Sequence, residues 1–518
     1  MVYSPSVYLF PAALALLLKH TSASSLYYDP VTVSGTTEEL SPHFPAYGDE
    51  IADLDCVISK EEDPTLPNIN TIPFVPVEFP YLLTNKSAVP PEPVFKKVGT
   101  SLLFEESSSP DDYISKSTTG WVPGSAKPGV KCATGWEKVH EPPNLETKRR
   151  LEAMGNQDIA KLEAYFQTKM VMTVDDLPTV AVVTPLPWSG PYWATVDDSI
   201  NVRWDNGGPS AAEKYATAFG LDVKTFMDNV SKENGVKSKS NRPVCTTDDS
   251  CASLNDGSLC GTPWDNSTSH CVQGWNGICH AWSAAAILEP EPNCPVTFNG
   301  VTFEPLDIKA LLSLVYDRSR VGTVFLASRY NGGPDTIDRF GRHSNSAFLD
   351  MNPALFHIVN GNVLGLLNRT YIADVEANAE VWNQPIFAYK IYEQTKMTPQ
   401  EAAQKFWGLD EYPWNAAADS IVFVTARVTW IVESYADGGL VRSGEIYDYM
   451  SGDYFYYLLE LDSNSRITGG EWLYGSETQH FDFAWIPKSK PDPATVTSAG
   501  LSYANVEMLL QKSVACET

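Results

Sequence analysis

The sequence predicts an α+β protein: a helical lobe, then a core in which one helix packs on an antiparallel sheet. Three observations predict it. Leu151, Met154, Ile159, Leu162 and Phe166 recur at roughly helical spacing. Beyond residue 354 the apolar runs shorten and are separated by Gly, Asn and Ser turns, as strands are. Between these regions, a Gly-containing turn at 273–278 leads into an Ala/Ser/Trp-rich stretch that opens with Cys279 and stops before Pro290. Helices first and strands second give segregated α and β layers.

At 518 residues the chain is long enough for two to four domains. Its net charge of −27 and pI near 4.6 exclude a nucleic-acid-binding face, which is basic. Val7–Leu18 is an apolar run too short to span a bilayer and is followed by small residues, so 1–24 reads as a signal peptide. No later stretch offers ~18 consecutive apolar residues, so no membrane anchor is expected. N-x-S/T sequences at Asn85, Asn229, Asn266 and Asn368 agree with a secreted glycoprotein. Residues 25–148 are rich in Pro, Ser and acidic side chains and read as an extended segment. It ends at Lys148, Arg149 and Arg150, either a pro-region cleavage site or a basic turn at a helix start. The helical lobe covers 149–240, the catalytic core 241–490, and a tail or helix 491–518.

Within the lobe, Ser210 and Glu213 form a capping box, and Val223, Phe226, Met227 and Val230 make an amphipathic face. Past the Cys279 helix, Pro305 opens another helix carrying Ile308, Leu311, Leu312 and Val315. Short apolar runs follow at 354–359 and 364–374, and strands at 421–432, 454–461, 470–474 and 481–485.

Nine cysteines occur: Cys56, Cys132, Cys245, Cys251, Cys260, Cys271, Cys279, Cys294 and Cys516. In an oxidising compartment an even set pairs, and setting Cys279 aside leaves eight. Cys245, Cys251, Cys260 and Cys271 are expected to form a local knuckle. A zinc site is the alternative, although the C-x2-C spacing such sites use is missing.

Cys279 is the candidate nucleophile. A helix N-terminus supplies unpaired N–H groups and partial positive charge, which stabilise a thiolate. The amide of Gln273, with the Cys279 N–H, is placed to hold an oxyanion. A thiolate needs a base and the base an orienter. His357, read as mid-strand, and Asp374, read as lying on the next strand, are the candidates, with Asn360, Asn378 and Asn383 as rival orienters. His480, near Asp482, is the alternative base. His280 points about 100° away from its neighbour on a helix, and His343 lies in a polar turn. Trp275 and Trp282 flank the cysteine as substrate-channel candidates, or else belong to the core.

The glutamine, Gly-rich turn, cysteine and Ala/Trp/Ser helix start resemble the nucleophile segment of papain-like enzymes. Together with the 306–312 helix and residues 381–393, the chain resembles the secreted transglutaminase elicitor family of oomycetes over about 151–485. The likeness is greatest at 381–393, including Trp382, Asn383, Gln384 and Pro385, which resembles a surface peptide that plants recognise. Here Ile386–Tyr389 departs from the usual Val-Arg-Gly-Phe. The resemblance implies a papain-like core and calcium-dependent crosslinking of protein glutamine to lysine, with cell-wall proteins and plant immune receptors as partners. Oxygen ligands for calcium are offered by Asp248, Asp249, Asn255 and Asp256, without EF-hand spacing. A secreted cysteine protease and a non-catalytic wall glycoprotein are the alternatives.

Overall fold

A computed structural model describes residues 37–39, 157–205, 207–317, 319–327, 351–377, 380–412, 414–477 and 479–516. The expected leader, the basic cluster at 148–150, Asn85, Cys56, Cys132, His343, Asn378 and all of the 25–148 segment except 37–39 lie outside these residues.

The lobe begins with α1 (Gln157–Phe166) and continues through α2 (Ala211–Ala218) and α3 (Val223–Glu233). The capping box at the start of α2 forms as the sequence predicts: the Ser210 side chain accepts from Glu213 N–H while Glu213 reaches back. Asp222 caps α3, which buries Phe226, Met227 and Val230. The knuckle follows, with β3 (Ser258–Gly261) paired to β4 (His270–Gln273) and cross-linked by Cys245–Cys260 and Cys251–Cys271. Disulfides therefore take the place of the zinc alternative. Next come α4 (Cys279–Leu288), the hairpin β5 (Val296–Phe298) and β6 (Val301–Phe303), and α5 (Pro305–Tyr316), which starts on Pro305 as expected.

One antiparallel sheet organises the remainder. Its order is β1 (Thr37–Glu39), β7 (Arg320–Ala327), β13 (Phe483–Pro487), β8 (Tyr371–Asp374), β9 (Asn383–Met397), β10 (Ser420–Ile431), β11 (Met450–Leu461) and β12 (Ile467–Trp472). The short β2 (Val180–Val182) also joins β9. Both faces are covered, and alternate residues serve each face, as a pleated strand requires. Ile372, Phe387, Phe483 and Trp485 pack with α2–α5 and the C-terminal α8 (Tyr503–Ala515), which comes after α7 (Pro399–Trp407) in the chain. Ala373, Ile386, Ala484 and Ile486 pack with α1 and with α6 (Pro353–Val359). Among the described residues no helix is long and apolar enough to cross a membrane.

Two expectations are corrected. Residues 354–359 form helix α6, not a strand: Asn352 caps it by accepting from Leu355 N–H, Pro353 starts it, and a π-helical stretch (Asn360–Leu366) extends it. Apolar periodicity alone does not separate a short buried strand from a buried helix. Residues 381–393 reach the surface only in part. Most of them form the start of β9, where Asn383 to Tyr389 are buried, while Lys390 to Tyr392 are half-buried and Glu393 is exposed.

Candidate active site

Cys279 is the first residue of α4, and no side chain caps the helix at Ile278. The turn before it is tightly packed. A Cβ on Gly277 would sit 2.5 Å from both ring and backbone atoms of Tyr192. Ile278 N–H donates to Tyr192 O at 2.7 Å, and the Tyr192 hydroxyl donates to Gly274 O at 2.9 Å. Among the described cysteines Cys279 alone is free, and it is buried, at 5% exposure.

The start of β9 closes over the thiol. Cys279 Sγ lies 3.6 Å from Val381 O, and Asn383 Nδ2 lies 3.8 Å from Sγ. The Asn383 amide is fixed from behind by Trp485 Nε1, which donates to its Oδ1 at 2.8 Å. Ser283 Oγ donates to Asn383 O at 2.6 Å and also to Cys279 O, so strand and helix are tied together. Asp374 pairs with Asn383 across β8 and β9, and its Oδ1 accepts from Trp382 N–H at 2.8 Å.

Burial pushes the Cys279 thiol up to about 12, and the Glu433 and Asp374 carboxylates add to the rise. The Asn383 backbone N–H and side-chain amide work against it. The expectation of a stabilised thiolate is thus reversed. A helix N-terminus contributes a fraction of a charge, whereas desolvation and two carboxylates, with no cation opposing them, act in the other direction.

The structure does not bring the expected base to this thiol. His357 lies on α6, 3% exposed, with Nδ1 at 2.9 Å from the Tyr457 hydroxyl and Nε2 without a hydrogen-bond partner. No hydrogen bond joins it to Cys279 or Asp374. His480 stacks on Trp472 and contacts Ser476 O through Nδ1. His280 pairs with Asp317 at 2.9 Å. Asn360, the other described rival orienter, bonds Tyr371 and its own helix, leaving Asn383 as the amide at the cysteine. Gln273 lies at the end of β4, and its Oε1 accepts from Asn276 at 3.0 Å. Trp282 is fully buried core, whereas Trp275 is only partly buried. Trp382 meets Tyr192 edge-on at 5.3 Å. Glu433 and Tyr192 carried no sequence signal: the pairing of β10 with β9 brings Glu433 here, and loop hydrogen bonds to Gly274 and Ile278 bring Tyr192.

Of the three acids in the calcium expectation at 248–257, Asp256 pairs with Arg242 at 2.5 Å and Asp248 Oδ1 accepts from Cys260 N–H at 2.8 Å, so these two are engaged within the knuckle. Among the described residues, the one group of three or more possible metal ligands in mutual reach is Cys245, Cys251 and Cys271, which are disulfide-bonded.

The transglutaminase elicitor family model matches residues 158–516. The crystal structure of the GP42 transglutaminase from Phytophthora sojae is similar at 59% identity and a TM-score of 0.64, covering 70% of this chain and 98% of that one. Among curated proteins no match is found. The chain belongs to the transglutaminase elicitor family and is a transglutaminase.

Proposed function

We propose that the chain is a secreted protein-glutamine γ-glutamyltransferase that joins glutamine to lysine through a Cys279 thioester. The observation that carries this reading is the free Cys279 at an uncapped helix start, held by Asn383 opposite Asp374, in a chain of this family. Cys279 sulfur attacks the γ-carboxamide carbon of a substrate glutamine. The C–N bond breaks, and the thiol proton leaves with the amide nitrogen as ammonia. In this reading Cys279 N–H and Gln273 stabilise the oxyanion. Asp374 and Glu433, the carboxylates whose charge reaches the thiol, carry the proton in place of a histidine. A lysine amine then attacks the thioester, forming the isopeptide bond and restoring the thiol.

Protein glutamines and lysines are the substrates in this reading, with cell-wall proteins as natural targets. The 381–393 strand is the segment for plant immune recognition, its 390–393 end being the accessible part. Calcium enters this reading as the ion on which crosslinking depends. The test gives the protein and its Cys279→Ala variant a glutamine-bearing protein and a fluorescent primary amine, with calcium or chelator. Cys279-dependent amine incorporation is expected, and its loss under chelation would establish the ion. Cleavage of the acceptor would replace this reading by the protease, and no reaction by a recognition glycoprotein.

A further inference from the structure

Among the described residues several buried acids meet a cationic partner, and buried Asp198 is held by hydrogen bonds from Ser231, Asn201 and two backbone N–H groups. Asp307 meets Lys214, Glu291 meets Lys309 at 2.7 Å, Glu289 meets Lys490 at 2.7 Å, and Asp317 meets His280 at 2.9 Å. Beside Cys279, Glu433 is half-buried and pairs with no cation among the described residues. A desolvated carboxylate without a counter-charge is costly, and one kept at a reaction site points to a cation supplied from outside.

Glu433 is tied to the thiol through the start of β9. It follows β10 by two residues, where Trp430 pairs with Ile386. Gln384 Nε2 donates to Glu433 Oε1 at 2.7 Å, and Gln384 adjoins Asn383, which contacts Cys279 Sγ. Gln384 is 3% exposed, and its Oε1 has no hydrogen-bond partner. Tyr192 borders the same space, feeling the charges of Asp197, Glu433 and Cys279, and Tyr435 feels that of Asp197. An acceptor amide oxygen, an unpaired carboxylate and aromatic walls together suit a primary ammonium, which has three N–H donors and one charge.

We propose that Glu433, positioned by Gln384, is the specificity-determining residue that receives the ε-ammonium of the incoming lysine beside the Cys279 thioester. This rests on the transglutaminase reading above and deepens it. The ammonium gives one proton to Glu433, and the freed amine attacks the thioester carbon. The C–S bond breaks as the proton on Glu433 passes to the departing Cys279 sulfur, and the newly bonded nitrogen then loses its second proton to the Glu433 carboxylate, which releases it to solvent. Burial, which raises the proton affinity of Glu433, suits it to hold that proton briefly.

The test compares a five-carbon diamine, cationic at neutral pH, with hydroxylamine, which is uncharged there, as acceptors for a glutamine peptide on the full chain. In Glu433→Gln the kcat/KM ratio of diamine over hydroxylamine is expected to fall about ten- to a hundredfold, mainly through the diamine KM. Glu433→Asp should restore part of it. An unchanged ratio in Glu433→Gln, or an equal fall for both amines, would overturn the proposal. If Glu433→Gln fails to fold, the wild-type ratio should fall with rising ionic strength, and a salt-independent ratio would overturn it equally. A wild type that releases no ammonia from the peptide would instead overturn the transglutaminase reading, and the proposal with it.

Discussion

At the scale of single residues, the thiol and one histidine make opposite use of burial. Because Cys279 is pushed up to about 12, native protein should react slowly with iodoacetamide at neutral pH, and the rate should climb through the alkaline range. A labelling rate already at its plateau below neutrality would contradict this. Burial holds His357 down at about 4, against 6.5 in an unfolded chain. Above pH 6.5 the ring is neutral in both states and costs nothing. As pH falls from 6.5 to about 4 the unfolded chain gains a proton that the native state refuses, so stability drops by roughly 3 kcal/mol. Urea titrations of wild type and His357→Gln across that window should converge toward acid, and kcat of the variant should stay near wild type. A hundredfold loss of kcat with the fold intact would return His357 to the proton-transfer role. Cys279 was legible because an odd cysteine and a helix start coincide. Asn383 was legible only as one of three rivals, since its approach to sulfur depends on which strand runs past α4.

At the scale of elements, the loop before α4 and the strand over it set the site. Gly277→Ala has no room against Tyr192, so the loop must move and the protein should lose about 1–3 kcal/mol together with most amine incorporation. A fully active, equally stable Gly277→Ala protein would show that this packing is dispensable. Two helices carried clear punctuation in Ser210 and Pro305 and were read correctly. β9 was not, because Asn383, Gln384 and Pro385 look like loop chemistry, and the strand gains its stability from partners on both sides. α6 was missed for the complementary reason: Val359, Ile358 and Leu355 are buried all round, which erases the periodicity that separates helix from strand.

At the scale of the whole molecule, segregation of helices and strands was readable, but strand order was not. β13, last in the chain, lies between β7 and β8, so the sheet closes only when the C-terminal part returns. The Cys294–Cys516 bridge spans 222 residues and fastens α8 beside β5. Replacing both cysteines by serine should lower stability by about 5 kcal/mol in the chain-entropy view, read as a lower melting temperature. An unchanged melting temperature would mean that α8 is held by its apolar face alone.

The covered thiol has a consequence for chemical endurance. Disulfide exchange and peroxide attack both begin from a thiolate that reagents can reach. A neutral sulfur under Val381 and Asn383 offers neither feature, although three disulfides are formed elsewhere among the described residues. The resting protein can thus remain in an oxidising fluid without scrambling its bridges or corroding its reactive sulfur. The same shielding means that the catalyst's shelf life and its readiness to react are set by one patch of strand.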